Sequence, residues 1–182
     1  MEDGDPTVFG EGVKGAVIML VSEQPGDAED RARRPFVGPA GKLLDEALAQ
    51  AGIDRSQVHV TNVVKHFKWS ASERGKRRIH KTPRDSEINA CRSWLDAEIT
   101  AVKPPVLVCL GASAVQSLLG KQFRVTQQRG RVVPSSLAPQ AVATVHPSSI
   151  LRARDHASRH AQMEEFVRDL RFVGKLAKRA AA

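Results

Sequence analysis

Five short stretches of this chain combine residue types that do chemistry. They are Glu23-Gln24-Pro25-Gly26-Asp27, Pro35-Phe36-Val37-Gly38, Thr61-Asn62-Val63-Val64-Lys65, Lys76-Arg77-Arg78-Ile79-His80, and His146-Pro147-Ser148-Ser149-Ile150-Leu151-Arg152. Asn62 carries an acceptor and a donor in one plane, the pattern that reads a hydrogen-bonding edge. Phe36 offers a flat apolar face for stacking. Glu23 supplies a carboxylate, His80 and His146 supply imidazoles, and Lys76, Arg77 and Arg78 crowd positive charge against His80. Each stretch alone has an ordinary explanation. Phe36 could be a core ring beside a turn, Asn62 a turn residue, His146 a residue opening a helix, and the basic run a phosphate-binding patch with a bystander histidine.

The elements that would position these residues are legible from periodicity. Ala16 to Val21 is a short continuous apolar run, as in a strand buried on both faces, and it ends at the turn-rich SEQPGD. Leu43, Leu44, Ala47, Leu48 and Ala51 recur at helical spacing, and Gly52 follows as a cap. Val58 to Val64 reads as a second strand, and the stretch 65–84 as an inserted basic loop with no apolar period. Ile88, Cys91, Leu95, Ile99 and Val102 mark a helix that Pro104-Pro105 must end. Val106 to Leu110 predicts a third strand, Gly111 to Leu119 a short helix and Arg131 to Val133 a short strand. Ala141 to Val145 predicts a fourth main strand and Met163 to Val173 a closing helix, with 176–182 as a frayed tail.

Alternating strands and helices predict an α/β fold: a three-layer αβα sandwich around a central, mostly parallel four-stranded sheet, built by residues 1–182 as one domain. Ligands in such folds bind beyond the carboxyl ends of the strands, where SEQPGD, Asn62 and HPSS all lie. The 182 residues are 41% hydrophobic and 26% charged, which excludes wholesale disorder. The net charge of +8 suits a polyanionic partner, although an arginine-rich composition alone would also produce it. No apolar run approaches the roughly 18 residues of a membrane helix, and the N-terminus has no signal-peptide pattern, so a cytoplasmic protein is expected, with oligomeric state open and a monomer as the default. Cys91 and Cys109 are too few for a disulfide framework and are read as thiols or metal ligands.

Taken together and in this order, the motifs resemble the uracil-DNA glycosylase superfamily, particularly its iron-sulfur bacterial and archaeal members. The resemblance spans about residues 8 to 175. The KRRIH stretch looks like the UdgX branch, whose members bind uracil-DNA covalently. The resemblance implies that Phe36 stacks on a flipped uracil, that Gln24 helps to bind it, and that Asn62 matches its N3–H and O4 edge. It implies that His146 donates to the uracil oxygen and that Glu23 sets an anion near C1′ of the sugar. Lys76, Arg77, Arg78, Ser148, Ser149 and Arg152 would touch DNA. His80 would trap the sugar cation at C1′ and leave protein joined to DNA. The partner would be uracil-containing DNA, single-stranded or with the base flipped out. Two rival readings remain: a glycosylase that turns over, and a non-catalytic nucleic-acid-binding module. The family's usual residue before Glu23 is glycine, where this chain has Ser22.

The resemblance also implies a 4Fe-4S cluster. Cys91 matches one downstream ligand position, and His66 stands where relatives carry cysteine. The expected C-x-x-C pair belongs upstream of Val8-Phe9-Gly10-Glu11-Gly12 and is absent, leaving two ligands where a cubane needs four. A late start of the chain is the expected reason.

Overall fold

A computed structural model describes residues 7–72 and 77–181. The first apolar run forms β1 (Ile18–Ser22), followed by α1 (Asp27–Ala32) and α2 (Pro39–Ala51), which Gly52 caps in the left-handed conformation. A 3-10 turn at Arg55–Gln57 leads into β2 (Val58–Asn62). Next come β3 (Trp69–Ala71) and β4 (Arg78–His80), then α3 (Asp85–Val102), β5 (Val106–Leu110) and α4 (Ala112–Leu119). The chain closes with α5 (Val125–Gln128), β6 (Val132–Val133), β7 (Gln140–Thr144), α6 (Pro147–Leu151) and α7 (His156–Ala180).

The main sheet runs β2-β1-β5-β7-β6, parallel except for β6, which pairs antiparallel with β7. It therefore has five strands instead of the expected four, because the short Val132-Val133 segment adds to the edge of β7. Alternate residues of each strand feed two cores. Ile18, Leu20, Val58, Val60, Val106, Val108 and Val142 pack under α2, α6 and α7. Met19, Val21, Leu107, Cys109 and Ala143 pack with Cys91, Leu95, Ile99 and Val102 of α3 and Ala114 and Val115 of α4. Helices on both faces give the three-layer sandwich that the alternation predicts.

Three expectations are corrected. The second strand stops at Asn62, because the amides of Val63 and Val64 turn to the carbonyls of Ser22 and Glu23 at 2.8 and 2.9 Å. The 65–84 stretch is not structureless: β3 and β4 form an antiparallel hairpin, and Lys65 and Phe67 are buried. The tail expected to fray from 176 continues α7 to Ala180 and buries Leu176. Before β1, residues 8–11 form a strap along β2, with Glu11 bridged to Val60 and the Val8 amide donating to the Lys65 carbonyl. Among the described residues no helix is long and apolar enough to cross a membrane.

Candidate active site

Four neighbouring parallel strands deliver their carboxyl ends to one edge of the sheet. Asn62 closes β2, Glu23 and Gln24 follow β1, Gly111 and Ser113 follow β5, and His146 follows β7. Ser22 is a buried strand residue paired with Asn62, outside the positive-φ region, so the backbone there accepts a side chain without strain.

His80, at the end of β4, brings Nε2 to 3.2 Å from Glu23 Oε1. The approach is off the line of a hydrogen bond, so the buried Oε1 is left without a well-directed donor. Burial alone would raise the Glu23 carboxyl. The approach of His80, the Ser113 hydroxyl and the charges of His80 and His146 outweigh it and hold the group below the usual carboxylate range. His146 responds in the opposite sense. Burial pushes its imidazole down to about 4, against the pull of Glu23, so the ring is neutral at neutral pH. Its Nδ1 accepts the Ser148 amide at 3.1 Å, which places the ring proton on Nε2 and makes that nitrogen a neutral donor.

The turn after β7 is built to hold this ring. Ser148 Oγ lies 2.8 Å from Nδ1, Ser149 Oγ donates to the His146 carbonyl at 2.7 Å, and Arg152 donates to Ser148 Oγ at 3.1 Å. Both serines, expected at the DNA, are thus engaged within the turn, and Arg152 also bears on it. Gly111 lies against His146 from the β5 side, where an added Cβ would come within 2.9 Å of the histidine Cβ. Phe36 sits with φ 57° and its ring centre 6.3 Å from that of His146. Gly41 makes this possible, since a Cβ there would overlap the Phe36 carbonyl.

Asn62 is fixed from behind. Its carbonyl accepts from Nζ of the fully buried Lys65 at 2.8 Å, and the same ammonium donates to Thr61 Oγ1 and Glu98 Oε2, both at 2.6 Å. Thr61 donates to Glu98 Oε2 at 2.5 Å, and the Gly10 amide donates to Glu98 Oε1 at 2.7 Å. Burial lowers the Lys65 pKa, and the Glu98 charge opposes that shift. One carboxylate on α3 therefore ties together the strap, β2 and the asparagine.

The hairpin carrying His80 is clamped at its base. Arg78 donates to the carboxylates of Asp27 and Asp30, the latter at 2.6 Å, and to the Asp27 carbonyl at 3.3 Å. Gln24 Nε2 donates to the carbonyls of Lys81 at 3.1 Å and Lys68 at 3.4 Å, while its Oε1 accepts the Lys68 amide at 3.1 Å. These contacts show where two expected site residues are engaged in this structure. The Arg78 guanidinium, expected at the DNA, pairs with carboxylates inside the protein, and the Gln24 carboxamide, expected at the base, pairs with the hairpin. Arg77 is exposed, and Lys76 lies outside the described residues.

Residues 9–171 match the family model for the uracil DNA glycosylase superfamily. The chain belongs to that superfamily. It is 36% identical over 169 residues to the type-4 uracil-DNA glycosylase of Thermotoga maritima, covering 92% of this chain and 83% of the relative. It is also 36% identical over 152 residues to the Pyrobaculum aerophilum protein of that name, covering 80% and 73%, and 32% identical over 176 residues to the Archaeoglobus fulgidus one, covering 93% and 81%.

For a member of this superfamily the iron-sulfur expectation meets a poor donor set. Cys91 is buried and its sulfur accepts the Lys65 amide at 3.5 Å, while His66 keeps a buried Nδ1 without a partner. Cys109 lies inside β5, and burial raises its thiol to about 12, far from a thiolate ligand. Among the described residues no group of three or more histidine, cysteine, aspartate or glutamate side chains could hold a metal ion. These residues do not fit a four-ligand cluster.

Sequence reasoning missed Glu98, Ser113 and Gly111 of this superfamily site. A signal existed for Glu98: it follows Leu95 by three and precedes Ile99, so it borders the buried face of an amphipathic helix, where an isolated carboxylate needs a partner. Ser113 and Gly111 are marked only by following a strand directly.

Proposed function

We propose that this protein excises uracil from DNA and then captures the abasic sugar covalently through His80. The observation that carries the reading is the position of the His80 ring, 3.2 Å from the Glu23 oxygen that lacks a well-directed donor. Breaking the bond between C1′ and uracil N1 leaves negative charge on the base and positive charge on the sugar. The neutral Nε2–H of His146 donates to the uracil oxygen where charge develops, and needs no proton from solvent to do so. The ionised Glu23 faces the sugar cation. A neutral ring nitrogen of His80 then gives its electron pair to C1′, a C–N bond forms, and the imidazolium sheds its other ring proton to solvent. Uracil leaves as the anion and takes up a proton later. Phe36 stacks on the flipped base, and Asn62 reads its N3–H and O4 edge. Gln24 and Arg78 serve by holding the hairpin, while Arg77, Lys76 and Arg152 are left to meet the phosphates of a single-stranded or flipped-out substrate.

The test is a labelled oligonucleotide with one uracil, boiled in detergent with the protein and run on a denaturing gel beside a uracil-free control. A heat-stable shifted band that requires uracil, and disappears in His80→Ala, is the expected result. A turnover enzyme, the reading that the names of the type-4 relatives support, would give alkali-labile strands and no shifted band. Intact DNA in both assays would defeat excision and capture alike.

A further inference from the structure

Beside His80 the hairpin presents an aromatic ring that the reaction above does not use. Trp69 and His80 are directly paired across the β3–β4 ladder, so their side chains leave the same face, with Cβ atoms about 4.5–5.5 Å apart by ladder geometry. One side of the indole is covered: the Arg78 guanidinium carbon lies over it, 5.4 Å from the ring centre. That guanidinium also lies 5.2 Å from the ring centre of the buried Phe67 and is itself fixed by Asp27 and Asp30. Trp69 nevertheless remains 42% exposed. A large aromatic at this exposure, backed by a clamped cation, has the character of a stacking platform.

We propose that Trp69 stacks on the base of a nucleotide immediately adjacent to the uracil, forming a subsite of the proposed DNA-binding groove. The inference rests on the uracil-DNA reading for its ligand and adds a base-stacking contact outside the uracil pocket. Two considerations choose a base over another occupant. The ring neighbours the histidine that would meet C1′, so the chain entering or leaving that sugar passes it. Stacking on indole is indifferent to base identity, so the contact adds affinity and holds the strand without restricting the sequence in which uracil is found.

Trp69 and Trp94 are the two tryptophans and there is no tyrosine, so Trp94→Phe leaves Trp69 as the sole long-wavelength emitter. This variant is mixed with a single-stranded oligonucleotide carrying one uracil, and with two others in which the nucleotide on the 5′ or the 3′ side of uracil is replaced by a baseless tetrahydrofuran. The expected result is quenching of Trp69 by the complete oligonucleotide, and loss of most of that quenching with one of the two baseless neighbours. On the complete oligonucleotide Trp69→Ala should also weaken binding by roughly tenfold, Trp69→Phe should restore most of it, and neither change should matter when that neighbour has no base. If the Trp94→Phe protein processes uracil while Trp69 emission stays constant, or if both baseless neighbours behave like the complete strand, the subsite is refuted and the uracil reading stands. If the wild-type protein acts on no uracil oligonucleotide, the uracil reading itself fails and the subsite falls with it.

Discussion

Replacing Glu98 with alanine removes the carboxylate that faces the Lys65 ammonium inside the protein. Lys65 Nζ would keep Thr61 and the Asn62 carbonyl but lose its counter-charge, and the Gly10 amide would lose its acceptor. Stranding one member of a buried ion pair costs about 3–5 kcal/mol. In a chain of this size each kcal/mol moves the melting temperature by roughly 2–4 °C, so Glu98→Ala should melt roughly 6–20 °C below wild type. Thermal unfolding followed by circular dichroism, with urea titration alongside, measures it. The decisive comparison is Glu98→Ala with Lys65→Met: removing both charges should recover much of the loss, because the penalty comes from an unpaired charge more than from a missing attraction. A single variant melting within about 2 °C of wild type, or a double variant losing the full sum of its singles, would refute the reasoning.

Two further outcomes follow from the neighbourhood of His146. The unfolded chain takes up a proton on this residue near 6.5 and the folded chain only near about 4, so between those values protons favour unfolding. Its contribution is present above pH 6.5 and is lost as pH falls towards 4, to a limit of about 3 kcal/mol, and His146→Gln should flatten melting temperature against pH over that interval. Gly111→Ala should destabilise by about 1–3 kcal/mol, since φ 86° and ψ 162° lie in a region almost reserved for glycine. The same Cβ would press on His146, so uracil processing by Gly111→Ala should fall by more than the lost stability explains, measured well below its melting temperature.

The strands that end at the site are readable because burial on both faces demands continuous apolar runs, as in Ile18 to Val21 and Val106 to Leu110. The strand-end placement of Glu23, Asn62 and His146 follows from those runs. What the sequence does not display is which partner each polar group chooses. Arg78 sits among basic residues and reads as a phosphate contact, yet its acids are Asp27 and Asp30, about fifty positions upstream, brought close by the hairpin's return over α1. Gln24 is expected at the base through the resemblance alone, and its carboxamide bridges the hairpin's two ends. The left-handed backbone of Phe36 has no compositional mark of its own and depends on Gly41, five residues later.

The borders of the main sheet bear on how the protein survives at high concentration. A parallel sheet of apolar strands is a template for strangers: any strand with free amides and carbonyls on its outer side can recruit another chain and begin a fibril. Here β2 carries the strap of residues 8–11 along its outer side, and the opposite border is β6, two residues long and antiparallel. Neither margin offers the long, flat, unpaired ribbon on which intermolecular strand pairing starts. Changes that unseat the strap, Glu98→Ala among them, should therefore favour aggregation as well as unfolding, because the amide of Gly10 is held by that carboxylate and its release would bare the side of β2.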